Sequence, residues 1–148
     1  KYFCIFNADG SFNPIELKSM LNKAELESYD FVFATRYEKD CGSDDDTFIT
    51  FIGNQIFTFI GNLFFNVKIS DLLYTFVLGD TECTKKLNLI SKDFSFCAEL
   101  PIKARRKRYK ITTNKSYERS RISGKKKVNA FRDGALILIS MIKLFFRN

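Results

Sequence analysis

A chain of 148 residues can bury the core of one ordinary domain, and 45% hydrophobic with 28% charged residues excludes an intrinsically disordered chain. It holds no histidine, so imidazole bases, Ser–His nucleophile pairs and histidine metal ligands are all excluded. The net charge of +7 points toward anionic partners, a class that includes nucleic acid, acidic membrane surfaces and phosphorylated substrates.

Tyr2 to Phe6 is a short apolar run closed by Asn7-Ala8-Asp9-Gly10, the pattern of a core strand with polar groups at its carboxyl end. It starts with no lead-in, as in a chain cut from something longer. Asn13 as a cap, Pro14 at the first helical position, and Leu17, Met20, Leu21 and Ala24 predict an amphipathic helix to about Glu27. Phe31 to Thr35 then reads as a second strand, ending in Arg36-Tyr37. Strand, helix, strand at this spacing implies a right-handed βαβ unit in a mostly parallel sheet, with Asp9 and Arg36 on one rim.

In the polar loop that follows, Asp44-Asp45-Asp46 suits a solvated or helix-N-terminal role more than a cation site. Residues 47–67 carry no charge, yet Asn54, Gln55, Asn62 and Asn66 favour a helix packed on protein or at a membrane interface over one that spans. The near-repeat Gly53-Asn54 and Gly61-Asn62 offers glycines for close backbone approach. Val67 to Ser70 reads as a strand ending at Asp71, and Leu72 to Leu78 as an extended apolar run. A short helix over 81–87 capped by Asp80, a helix over about 95–108 containing Pro101, and an exposed strand over 109–116 follow.

From Lys103 to Lys127 there are twelve Lys or Arg and one acid, Glu118, a local charge of +11 against −4 elsewhere. After the basic loop 117–127, a helix over about 129–147 has an apolar core flanked by Arg132, Lys143 and Arg147, which suits a buried or membrane-interface helix. The four cysteines lack paired C-x-x-C spacing and read as reduced, in a cytosolic protein, and no segment has signal-peptide zones.

The order of these pieces resembles the family 2 GT-A glycosyltransferases of the dolichol-phosphate mannose synthase and undecaprenyl-phosphate sugar transferase type. Asn7-Ala8-Asp9 followed by Pro14 matches the D-x-D-type motif and its proline-started helix. Thr35-Arg36-Tyr37 matches the small-Arg-aromatic strand end, Gly53-Asn54 the Gly-Asn helix, and Asp71 to Val77 the Asp before a Ser-Gly-Phe-Arg run. Phe94 to Leu100 matches an aromatic segment with Glu, and Arg121 to Lys127 with Arg132-Asp133-Gly134 matches the Arg-x-x-Gly-x-Ser-Lys loop and Arg-Asp-Gly helix start. The chain departs from the pattern at Asn7 for the first motif Asp, at Tyr74-Thr75-Phe76-Val77 for Ser-Gly-Phe-Arg, and at Lys126 for the loop Ser.

The resemblance covers nearly the whole chain and implies an α/β fold: a partial, Rossmann-like GT-A domain with a mixed, mostly parallel sheet flanked by helices. The nucleotide-gripping half would precede it. By the same resemblance Asp9 and Asn7 would hold Mg²⁺ or Mn²⁺, and Arg36, Asn54, Arg119, Arg121, Lys125 and Lys127 would bind a nucleotide-sugar donor and a polyprenyl-phosphate or glycan acceptor. Asp71 would be the base if the acceptor is a hydroxyl, whereas an ionised lipid phosphate needs none. The implied location is peripheral, on the cytoplasmic face of a membrane, with no nucleic-acid partner. The rival readings are a nonenzymatic basic module that binds anions or nucleic acid, and an inactive transferase relative.

Overall fold

The computed structural model describes residues 1–124 and 128–146. Strand β1 (Tyr2–Ile5) leads through a turn to helix α1 (Glu16–Leu26) and strand β2 (Phe31–Thr35). Asn13 Oδ1 accepts from the Ile15 amide at 3.2 Å and its carbonyl from Glu16 at 3.1 Å, so Pro14 and Ile15 form a turn and the regular helix begins at Glu16. Next come the two-residue β3 (Gly42–Ser43) and helix α2 (Phe48–Phe65). Thr47 starts α2 with a reciprocal capping box to Thr50.

The expected strand at Val67 to Ser70 is instead a loop without a ladder, with Lys68 at a φ of +61°. The Val67 amide donates to the Gly61 carbonyl at 3.4 Å, and a side chain holds Ile69: Asn62 Oδ1 accepts from its amide at 3.2 Å and Asn62 Nδ2 donates to its carbonyl at 2.8 Å. Of the apolar run 72–78, only the end enters β4 (Val77–Asp80), which leads into α3 (Thr81–Lys86). Asp80 Oδ1 caps α3 by accepting from the Cys83 amide at 2.8 Å. Helix α4 (Phe96–Arg106) contains Pro101, and β5 (Ile111–Lys115), β6 (Tyr117–Glu118) and α5 (Ala130–Phe146) complete the fold.

The main sheet has the order β1-β4-β2-β5, and β3 pairs with β6 in a separate parallel ribbon. Strands β1, β2 and β5 run the same way, but β4 lies reversed between β1 and β2. The sheet is therefore mixed, with two of its three pairings antiparallel, and the two strands of the expected βαβ unit are not neighbours. Gly79 helps seat β4 there: a Cβ on it would fall 2.6 Å from the Phe3 ring and 2.8 Å from the Phe31 ring, so both rings pack over the glycine.

Alternation along β2 sends side chains to two cores. Val32 and Ala34 join Met20 and Ala24 of α1 with Phe12, Tyr74 and Phe76 on one face. Phe31 and Phe33 pack on the other with Leu100 and Ile102 of α4 and with Ile137 and Met141 of α5. The result is a mixed α/β fold with helices on both faces of the sheet. Because β1, β2 and β5 point one way, the segments leaving them gather on a single rim, the place where open α/β sheets bind ligands.

Candidate functional site

Arg36, just past β2, is held on that rim by several hydrogen bonds. Its Nε donates to Asp71 Oδ2 at 2.8 Å, its Nη2 to Asp71 Oδ1 at 3.1 Å, and its backbone amide to Asp71 Oδ2 at 3.2 Å. Nη1 donates to Glu118 Oε2 at 2.9 Å, and the guanidinium stands 4.4 Å from the Tyr74 ring centre. The Arg36 side chain is 9% exposed and that of Asp71 0%. Burial pushes the Arg36 pKa down, but the Asp71 carboxylate outweighs it and holds the guanidinium charged.

Asn54 ties this pair to α2. Its Nδ2 donates to Asp71 Oδ1 at 2.5 Å, while its Oδ1 accepts from Thr58 Oγ1 at 3.1 Å and from the Leu73 amide at 3.4 Å. Both Asp71 oxygens are thus committed, and Asp71 lies behind Arg36 rather than on an open wall.

Beyond β1, Asp9 Oδ1 accepts from the Ser11 amide at 3.0 Å and the Ser11 hydroxyl at 2.7 Å. Its Oδ2 pairs with Arg121 Nη1 at 3.2 Å. Burial raises the Asp9 pKa, yet the Ser11 hydrogen bonds and Arg121 bring it below the usual carboxylate value. Arg121 also grips Asp45, through Nε at 3.1 Å and Nη2 at 3.0 Å. Gly10 carries a φ of +81°, and a Cβ there would meet Ile122 Cδ1 at 2.6 Å, so glycine lets the two loops close on each other.

Asn7, Asp9, Arg36, Asn54 and Arg121 all line one cleft of about 1240 Å³. Asp71 does not line it. Arg119 is exposed and turned to the loop carbonyls of Gly10 and Phe12, at 3.1 and 2.7 Å. Lys125 and Lys127 lie outside the described residues.

Sequence reasoning did not place in this cleft the acids Asp45, Asp46, Asp93 and Glu118. Asp46 Oδ2 accepts from the Tyr37 hydroxyl at 2.5 Å, and Glu118 Oε2 accepts from Ser43 Oγ at 2.6 Å. Of the three consecutive acids, Asp44 is exposed and bonded to Tyr117, Asp45 pairs with Arg121, and Asp46, just before the α2 cap, accepts from Tyr37 and from Thr50 of the first turn. The available signal for Glu118 was its standing as the lone acid of the basic block.

Two guanidiniums thus face the five carboxylates of Asp9, Asp45, Asp46, Asp71 and Glu118. Among the described residues no three Asp, Glu, Cys or His side chains are grouped to hold a metal unaided. Asp9 and Asn7 both line the cleft, but Asp9 has Oδ1 on Ser11 and Oδ2 on Arg121, so a Mg²⁺-type ion would have to displace Arg121 and complete its shell on substrate phosphates and water. The far side of the cleft carries the apolar Ile49, Ile52 and Ile56 of α2 and Phe131 and Leu136 of α5, with the charged Lys92, Asp93, Arg132 and Asp133 among them. No protein-family model matches this sequence, and comparison with curated proteins found no match.

Proposed function

We propose that this chain is the acceptor-side portion of an inverting family 2 GT-A glycosyltransferase, moving a sugar from a nucleotide donor to a polyprenyl phosphate at the cytoplasmic face of a membrane. One observation carries the reading: a single cleft joins a wall of ion-paired Asp9, Arg36 and Arg121 to a wall of isoleucines and Phe131. A phosphate on an apolar chain has that same division. The order β1-β4-β2, with β4 reversed, supports a mixed sheet of the GT-A kind.

In this scheme a lipid-phosphate oxygen attacks the anomeric carbon, that bond forms as the bond to the donor diphosphate breaks, and the sugar inverts. The nucleophile is already ionised, so no proton has to be removed. Asp71 suits this acceptor: buried and bonded on both oxygens, it orients Arg36 and has no free edge for a hydroxyl proton. Arg121 would turn from Asp9 and Asp45 to the departing phosphates, a planar two-pronged contact that guanidinium favours. Asp9 and Asn7 would hold Mg²⁺ or Mn²⁺, which supplies positive charge to the leaving diphosphate. A bound cation would offset the carboxylates of Asp9, Asp45, Asp46 and Glu118 that an anionic donor meets in the cleft.

Asn7 favours a second reading, an inactive relative, because it removes one anionic ligand. Transfer should be assayed from nucleotide-sugars to a short polyprenyl phosphate with Mn²⁺, in a protein that also carries a nucleotide-binding half. Transfer that disappears in Asp9→Ala supports the enzyme. Absence of transfer in the parent and its appearance in Asn7→Asp supports the inactive relative. Metal-independent oligonucleotide binding that survives Asp9→Ala would return the protein to the basic-module reading.

A further inference from the structure

Helix α2 is built inside out for a protein surrounded by water. Its fully buried residues are Asn54, Thr58 and Gly61; Phe57, Ile60 and Phe65 are half-buried against the core, and its other large apolar side chains face outward. Phe48, Ile52, Ile56, Phe59 and Leu63 recur at three- and four-residue steps, forming a stripe down the whole 18-residue helix, with Phe59 64% and Leu63 60% exposed. Helix α5 adds Leu138, Ile142 and Phe146 to the exposed apolar surface, and the rings of Phe64 and Phe145 pack edge to face where the two helices meet. Contiguous apolar surface on this scale marks an interaction face.

Charge identifies the occupant. No charged residue lies on α2, and the one acid on α5, Asp133, is spent on the Asn129 amide in the first turn. Cations edge the face: Arg132 and Lys143 are exposed on α5, and Arg106 at the end of α4 lies 5.7 Å from the Phe65 ring and donates to the Leu144 carbonyl. A second copy would set this cationic rim against itself, whereas anionic lipid headgroups complement it.

Length and composition alone would let α2 cross a bilayer, but its inner side chains hold it to the domain. Asn54 bonds Asp71 and the Leu73 amide, the Leu72 amide donates to Thr58 Oγ1 at 3.0 Å, and Asn62 holds both backbone groups of Ile69. Drawing the helix into lipid would strand all of these polar groups. We infer that α2 and α5 together form the face by which this protein docks on an anionic bilayer, with α2 lying flat in the headgroup boundary. Ile52 and Ile56 belong both to this stripe and to the cleft wall, so the cleft opens toward the lipid. That last consequence rests on the proposed transferase reading; the docking does not.

The chain has no tryptophan, so Phe59→Trp introduces a single reporter. Its emission should shift to the blue with vesicles containing about one-third phosphatidylglycerol in phosphatidylcholine, far less with phosphatidylcholine alone, and less as salt is raised. Phe59→Ser with Leu63→Ser should lower vesicle partitioning on the order of tenfold or more while leaving the melting temperature and far-UV circular dichroism unchanged. An alkaline wash should release the protein from the vesicles. Absence of a shift on anionic vesicles overturns the inference, as does retention after the wash. A vesicle-free dimer abolished by the double serine variant would reassign the face to a second copy. Docking without sugar transfer in the longer protein would sink the transferase alone, and transfer without docking would sink the docking alone.

Discussion

Replacing Asp71 by asparagine removes the charge opposite Arg36 at nearly constant shape. The pair is buried on both sides, at 9% and 0% exposure, so solvent does little to screen the arginine left behind. Removing one member of such a pair costs about 3–5 kcal/mol. Glu118 still holds Nη1 at 2.9 Å, which puts the expected loss near the lower end, about 3 kcal/mol. That is a large share of the roughly 5–15 kcal/mol that keeps a domain folded. With a urea slope of about 1–3 kcal/mol per molar, the unfolding midpoint should fall by about 1–3 M. Far-UV circular dichroism in a urea titration measures it, with Glu82→Gln as the control, because the Glu82–Lys85 pair is 69% and 68% exposed. The control midpoint should not move. A drop for Asp71→Asn equivalent to less than about 1 kcal/mol, the value of an exposed pair, would refute the argument that Asp71 holds Arg36.

Glu99 should set part of the acid limb of stability. It accepts from the Ile90 amide at 2.9 Å, the Ser91 amide at 2.8 Å and Lys103 at 2.6 Å; burial raises its pKa, but these partners bring it below the ordinary 4.5. Its contribution is therefore complete above pH 4.5 and is lost as pH falls through the lower folded value, so Glu99→Gln should flatten the melting-temperature profile in that acid range. Thr58→Val deprives the buried Leu72 amide of its acceptor and should cost about 1–3 kcal/mol, with faster hydrogen exchange at Leu72. Gly79→Ala drives a methyl into the rings of Phe3 and Phe31 and should destabilise by about 1–3 kcal/mol in a thermal melt.

Most elements were legible because their signals are local. The Asn13-Pro14 turn with apolar residues at helical spacing gave α1, and the five-residue run Phe31 to Thr35 gave β2 with both ends right. The place and direction of β4 were not legible. Flanked on both sides, β4 buries Val77, Leu78 and Gly79, and an apolar run of that kind reads the same whichever way it runs. Val67 to Ser70 misled for a related reason: its alternation is that of a strand, but the partner of the Ile69 backbone is an asparagine side chain seven residues away. At the site, Asp9, Arg36 and Arg121 were picked out as groups that suit phosphate chemistry. Glu118, Asp45 and Asp46 escaped because a carboxylate's partner lies in the tertiary fold, 76 residues away for Asp45 with Arg121.

The near-repeat in α2 acquires a physical meaning from these partners. Asn54, Thr58 and Asn62 stand four residues apart and so share one side of the helix. Together they bond Asp71, the amides of Leu72 and Leu73, and both backbone groups of Ile69. Gly61 lets this loop come close, since a Cβ there would sit 3.2 Å from Leu72, whereas nothing lies within 4 Å of such an atom at Gly53. The loop 67–73 has no neighbouring strand, and the polar stripe of α2 stands in for the missing ladder. With one side spent on that loop and Phe57, Ile60 and Phe65 turned to the core, α2 leaves Phe48, Ile52, Ile56, Phe59 and Leu63 facing outward. The exposed stripe and the fixed position of Asp71 behind Arg36 are thus two results of one arrangement, and a shift of α2 at the surface would reach Arg36 through Asn54.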